Sequence, residues 1–302
     1  MATTQDRQPA DHLGMTLTGA QETLLVTLLA KYNDFYRRRP LLADRWAVAV
    51  IDHLGIVARP PAGFSHSAMV TMRARVMDDW ATELLAAHRE EPVAVIHLAC
   101  GLDARALRLR GKCGADVRWI DLDLPDVIDA RCRLASAMPE PAAAVSAAAY
   151  AGQKYSYTMV ASDATAAAWL EDVPADRPTL VIMEGLSMYL SADAAQALIR
   201  RLVNHFAPCG GELMLDAVSP QSRAVVNWVV RVQQSFGFQW QYAIRSFEDV
   251  TRLDARLQLV QGYRFTHNPA VKLLDFVPRV VLWLLSWIPW LRGLYLFMRF
   301  RM

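Results

Sequence analysis

Residues Val93 to Leu109 read VAVIHLACGLDARALRL, and the stretch from Trp119 reads WIDLDLPDV. An apolar run rich in β-branched residues ends in a turn of small residues, a helix-like segment follows, and a second apolar run ends in acids. That order describes a βαβ unit, in which a nucleotide-like ligand lies at the carboxyl ends of parallel strands. Small residues in the turn let the backbone approach the ligand, and an acid after the second strand accepts hydrogen bonds from ribose hydroxyls. The rest of the chain is placed relative to this unit.

Counted from Gly101, Asp121 and Asp123 fall about 20 residues on, a spacing shared by dehydrogenases and methyltransferases. A dinucleotide site wants three glycines, so that a pyrophosphate can rest on the helix N-terminus. Here the turn is Ala-Cys-Gly-Leu-Asp, with no third glycine and with an acid inside it. A carboxylate at Asp103 repels a pyrophosphate but pairs with, or water-bridges to, an amino-acid ammonium. S-adenosyl-L-methionine carries that ammonium and no phosphate, so the electrostatics favour a methyl donor over NAD.

ACGLDARALRL, IDLDLPDVI, SDAT and MEGLSMYL follow one another in this chain. Together they resemble the leucine carboxyl methyltransferase superfamily of class I methyltransferases. LTGAQETLLVTLLAKY near the start is similar to its branch of polyketide O-methyltransferases, typified by the tetracenomycin enzyme. The resemblance runs from about Leu17 to Asp216. It implies an α/β fold with a seven-stranded Rossmann-like sheet and an N-terminal helical cap. It also implies an S-adenosyl-L-methionine-dependent O-methyltransferase, acting on a carboxyl or phenolic hydroxyl of a small secondary metabolite. Family members usually carry glycine where this chain has Ala99. An alanine fits there if φ is negative, whereas a positive φ calls for glycine. The expectation is a weakened but working cofactor site. The alternative is a non-catalytic protein of the same fold, an adaptor for a membrane or a partner.

With 302 residues, of which 54% are hydrophobic, the chain can bury one large core. A net charge of +2 gives no polyanion signal, so nucleic acid is not expected. Cys100, Cys113, Cys132 and Cys209 have no zinc-ligand spacing. They read as reduced thiols of a cytoplasmic protein, with no metal expected. No P-loop, HExxH or GxSxG elbow is present.

In chain order, the expectation is a disordered N-terminus over 1–15 without a signal-peptide core. A helical cap over 16–90, a cofactor-binding core over 91–268 and an apolar Trp/Arg-rich tail over 269–302 follow. The cap holds helices over Thr18–Arg39, Leu42–Leu54 and Ser67–Arg89. The family resemblance assigns Arg75, in the third, to the cofactor carboxylate; the alternative is a solvated surface arginine. Ala142–Ala151 reads as a helix or a loop of small residues. Tyr155–Ser162 is a strand that delivers Asp163 and Ala164. Asp163 either accepts from the adenine amino group, with Ala164 offering backbone N–H to the ring, or N-caps the next helix.

The buried strand Thr179–Met183 delivers Glu184, which needs a partner so close to an apolar run. That partner is either the methionyl ammonium of the cofactor or an active-site arginine. Tyr189 faces the substrate cavity or packs against the next helix. Tyr189 and His66 are the catalytic candidates, beside the cofactor set Arg75, Gly101, Asp103, Asp123, Asp163, Ala164 and Glu184. His97, inside the first strand, reads as a core histidine. After a strand at Glu212–Val218, Phe238–Ile244 and Leu257–Phe265 read as a final antiparallel pair, which brings the strands to seven. The aromatic residues of 228–242 read mostly as core.

In the tail, Arg279 and Arg292 bracket only twelve residues, too few for a membrane span. The tail therefore packs over the pocket or in a homodimer, or lies in a membrane interface with its tryptophans at headgroup depth. The expected partner of the site itself is a small molecule.

Overall fold

The computed structural model describes residues 23–56, 66–139, 154–233, 239–288 and 293–302. Its centre is a seven-stranded sheet of β1 (Pro92–Leu98), β2 (Asp116–Asp123), β3 (Lys154–Ala161), β4 (Thr179–Met183), β5 (Gly211–Val218), β6 (Gln258–Arg264) and β7 (Tyr295–Arg301). The spatial order is β3-β2-β1-β4-β5-β7-β6. The first five strands are parallel, and β7 runs antiparallel to both of its neighbours. Strand order reverses between β1 and β4, so the carboxyl ends of those two strands open the crevice where such sheets bind ligands.

The hydrophobic pattern explains the layering. In β4 every residue is buried, and successive side chains point to opposite faces. Leu180 and Ile182 join the core on one face, with Met72, Val76 and Trp80 of helix α3 (His66–Ala87). Val181 and Met183 join the core on the other, with Leu198, Leu202 and Phe206 of helix α7 (Ala192–Phe206). Ser191 caps α7, its side chain accepting from the Ala194 N–H at 3.1 Å.

A third cluster unites α1 (Thr23–Phe35) and α2 (Arg45–His53) with Leu102 and Leu134. α3 is therefore a layer of the core, while α1 and α2 pack over the turn after β1. The expected disordered start lies outside the described residues, as do Ala142–Ala151, Phe236, Phe238 and the His66 side chain.

The expected strand at Phe238–Ile244 is corrected. Residues 239–245 are irregular. The Gln241 N–H bonds to the Met188 carbonyl at 2.7 Å, and the Ile244 N–H to that of Val218 at 2.9 Å. The segment crosses the end of the sheet because β7 already occupies the edge of β5. The seventh strand comes from the supposed tail. In YLFMRFR all but the last residue are buried, which a strand flanked on both sides and covered on both faces requires. Arg299 is tolerated there because Glu212 (2.5 Å) and Glu83 (2.5 Å) neutralise it. Trp228, read as core, is 65% exposed on α8 (Pro220–Gln233).

Candidate active site

The turn after β1 is held in an unusual backbone path. Ala99 has φ +51° and Gly101 has φ +55°. The positive φ is the case that calls for glycine at position 99, because left-handed backbone crowds the alanine Cβ. Surrounding hydrogen bonds fix the path. The Cys100 N–H reaches the Leu122 carbonyl at 3.1 Å, and the Gly101 N–H reaches Asp123 Oδ2 at 2.6 Å. Arg131, buried on α5 (Pro125–Arg133), donates to the carbonyls of Gly101 (2.7 Å) and Asp103 (3.0 Å) and to Asp121 (2.7 Å). A side chain at position 101 would meet Leu24 Cδ2 at 2.8 Å, so Gly101 also lets α1 press on the turn.

Below the turn lies a buried network of ions. Asp103 pairs with Lys31 (3.0 Å), Arg108 (2.6 Å) and Arg105 (3.5 Å). Arg105, fully buried, also binds Asp78 (2.6 Å), lies 3.0 Å from His97 Nε2 and contacts Glu184. Arg108 binds Asp44 and Asp78, tying the network to the N-cap of α2. Glu184 completes it with Arg73 (2.9 Å), so its partners are arginines.

Burial pushes both carboxyls up, but the cations outweigh it. Arg105 and Arg73 hold Glu184 down at about 2, and Arg108, Lys31 and Arg105 hold Asp103 well below the usual carboxylate range. Asp123 moves the other way: burial raises it, against the N–H groups of Gly101 and Leu124.

A second buried group stands beside the first. Tyr295, the first residue of β7, donates its hydroxyl to Asp216 and accepts from Arg73 Nη1 at 3.1 Å. Asp216 also accepts the Gly185 N–H at 2.6 Å. Burial raises both Asp216 and Tyr295, the latter far above the usual phenol range. At Gly185 (φ +68°) an added Cβ would sit 3.1 Å from the Arg73 guanidinium, so a bare backbone leaves room for this arginine.

Of these groups Lys31, Arg73, Asp103, Glu184 and Tyr295 line a cavity of about 420 Å³. Its other walls are apolar: Leu24 and Leu28 of α1, Met69 of α3, Met188, and Val226 and Val229 of α8. Of the expected site residues, Gly101, Asp103, Glu184 and Tyr189 line it. Asp123 stands behind the turn, holding Gly101 and, at 2.8 Å, the Leu124 N–H. Asp163 and Ala164 lie beyond β3, outside this lining. Asp163 is exposed and accepts from the Thr165 N–H (2.7 Å) and hydroxyl (2.8 Å), a local turn and not a helix cap.

Arg75 is a correction. It binds Asp79 one helical turn on and the Leu41 carbonyl, away from the cavity, whereas Arg73 faces it. Two residues apart on a helix point in different directions, and the choice between them needed tertiary contacts. Sequence reasoning also missed Lys31, Arg105, Arg108, Arg131, Asp216 and Tyr295. The arginines of DARALRL were in plain view, and an acid in a turn against an apolar core signals a buried cation.

A mixed sheet with one antiparallel strand and its ligand crevice beyond β1 and β4 defines the class I methyltransferase architecture. The profile of the leucine carboxyl methyltransferase family matches residues 44–203, and the chain belongs to that family. It is 37% identical over 228 residues to the S-adenosyl-L-methionine-dependent methyltransferase dpfgK of Gibberella zeae, covering 71% of this chain and 72% of the relative. To the tetracenomycin polyketide synthesis O-methyltransferase TcmP of Streptomyces glaucescens it is 38% identical over 205 residues, 68% of each. The fold aligns with a crystal structure from Thermobifida fusca at TM-score 0.54 and 14% identity, over 90% of this chain and 93% of that one. The chain is thus an S-adenosyl-L-methionine-dependent methyltransferase, and these relatives lend the adaptor alternative no support.

Proposed function

We propose that the protein transfers a methyl group from S-adenosyl-L-methionine to an oxygen of a small, largely apolar, polyketide-like acceptor. The observation that carries this reading is one cavity lined both by ionic side chains and by apolar ones. The ionic side chains fit the cofactor's amino-acid group: Asp103 and Glu184 suit its ammonium, and Arg73 and Lys31 suit its carboxylate. In this reading Asp123 receives the ribose, and Asp163 with Ala164 the adenine. When bound, the sulfonium supplies an already activated methyl group.

What remains for the chain is to position the acceptor oxygen in line and to exclude water. The apolar side chains of α1, α3 and α8 do the second. An ionised carboxyl acceptor needs no base. A hydroxyl acceptor gives its proton to Tyr295 Oη as the Tyr295 proton passes to Asp216, whose raised proton affinity suits it to receive one. Tyr189, on the same wall, contacts the acceptor.

The four cysteines are free thiols, in keeping with a reducing cytoplasm. Among the described residues no helix is long and apolar enough to cross a membrane. The membrane or homodimer contact expected of the tail now concerns only the segment before β7, since Tyr295–Arg301 is taken up in the sheet.

The test is an acceptor screen with aromatic polyketide-like carboxylic acids and phenols, followed by mass spectrometry of product and of S-adenosylhomocysteine. One O-methyl group per turnover supports the reading. Methylation on carbon or nitrogen alone contradicts it.

A further inference from the structure

Helix α10 (Phe276–Ser286) lies outside the active-site argument and presents an unusual surface. Only Leu282 is fully buried on it, packed into the core cluster that contains α3. On the outward side Phe276 is 70% exposed, Val277 68%, Trp283 57%, Leu284 54% and Trp287 65%. Trp283 and Trp287, one helical turn apart, meet edge to face with ring centroids 5.7 Å apart. Isolated exposed apolar residues need no explanation, but a contiguous aromatic face marks an interaction site.

The charges around that face decide what covers it. Within 269–288 the charged side chains are Lys272, Asp275 and Arg279. The acid is in an ion pair with Arg37 at 3.1 Å. That contact sets Arg37 at the N-terminal end of α10, and the exposed Arg38 and Arg39 follow it directly in the chain. The face is therefore tryptophan-rich and rimmed by cations. Two-fold self-pairing sets each patch against its own copy and crowds the basic rims together. A negatively charged lipid surface complements both features: indole rings sit at headgroup depth, and Lys and Arg gain from anionic headgroups. A helix too short to span can lie in the interface plane.

We infer that α10 docks this protein peripherally on anionic membranes, through Phe276, Val277, Trp283, Leu284 and Trp287, with Lys272, Arg279, Arg38 and Arg39 against the headgroups. The inference does not rest on the identity of the methyl acceptor. Cofactor binding can succeed while docking fails, and the reverse.

The experiment is sedimentation of the full chain with sucrose-loaded vesicles of phosphatidylcholine, with and without phosphatidylglycerol. It is run on the native chain, on Trp283→Ser/Trp287→Ser and on Arg279→Glu, with S-adenosylhomocysteine binding as the check on folding. Expected are pelleting with the anionic vesicles that weakens as salt rises, and a partition coefficient lowered about tenfold by the double tryptophan variant. Arg279→Glu lowers it at low salt. No pelleting, equal pelleting with neutral vesicles, or pelleting unchanged in the double variant overturns the inference. So does a dimer that the double variant dissolves in the absence of lipid binding.

Discussion

At the scale of single residues, the account turns on how charge and backbone strain are held in a dry place. Ala99 adopts a left-handed φ of +51°, at a cost of roughly 1–2 kcal/mol for a residue with a Cβ. Ala99→Gly removes that cost but gives the unfolded chain more freedom, worth ~0.4–1 kcal/mol. The expected net is a gain of between zero and about 1.6 kcal/mol in denaturant unfolding, with S-adenosylhomocysteine binding at least as tight. A loss of stability in that variant would show that the turn does not need this path.

Glu184 gives a pH signature. Its folded value of about 2 lies below the ordinary 4.5, so the native state favours the ionised form. The stabilisation is complete above about pH 4.5 and is lost as pH falls toward about 2. The native chain should therefore lose stability across that window more steeply than Glu184→Gln. Parallel curves for the two would remove Glu184 from the network.

Elements show what could be read from the chain and what could not. β1 and β4 were legible because strands buried on both faces are near-continuous apolar runs bounded by turn residues, and β2 because its apolar residues alternate and end in acids. The turn motif after β1 and Glu184 after β4 were legible for the same reason: chemistry sits where such strands end. β7 was not. Its arginines and its place after a tryptophan-rich segment gave it the look of a tail, and only Glu212 and Glu83 make Arg299 acceptable inside a sheet. Phe238–Ile244 alternates as a strand should, yet the edge it would have joined is taken.

Lys31 was hidden for a different reason. A lysine late in an amphipathic helix reads as solvated, while this one is buried against Asp103. Lys31→Met leaves Asp103 with two arginines. It should cost less than the ~3–5 kcal/mol of a buried charge with no partner. Hydrogen exchange should quicken in α1 while the amides of β1 and β4 keep their protection. Unchanged exchange in α1 would mean that its apolar contacts alone hold it on the turn.

At the scale of the whole molecule, the sheet has an apolar layer on each face. The candidate active-site cavity falls beyond β1 and β4, where strand order reverses, and α1, α3 and α8 line it. Arg73 joins three parts of the chain there: Glu184 after β4, Tyr295 at the head of β7 and, at 3.6 Å, Asp216 near the end of β5. The most direct measurement is calorimetric titration of S-adenosyl-L-methionine and S-adenosylhomocysteine into the native chain, Arg73→Met and Arg75→Met. The account predicts binding of both ligands to the native chain, a loss of about tenfold or more in Arg73→Met, and native affinity in Arg75→Met. No binding to the native chain, or full affinity in Arg73→Met beside a loss in Arg75→Met, would contradict it.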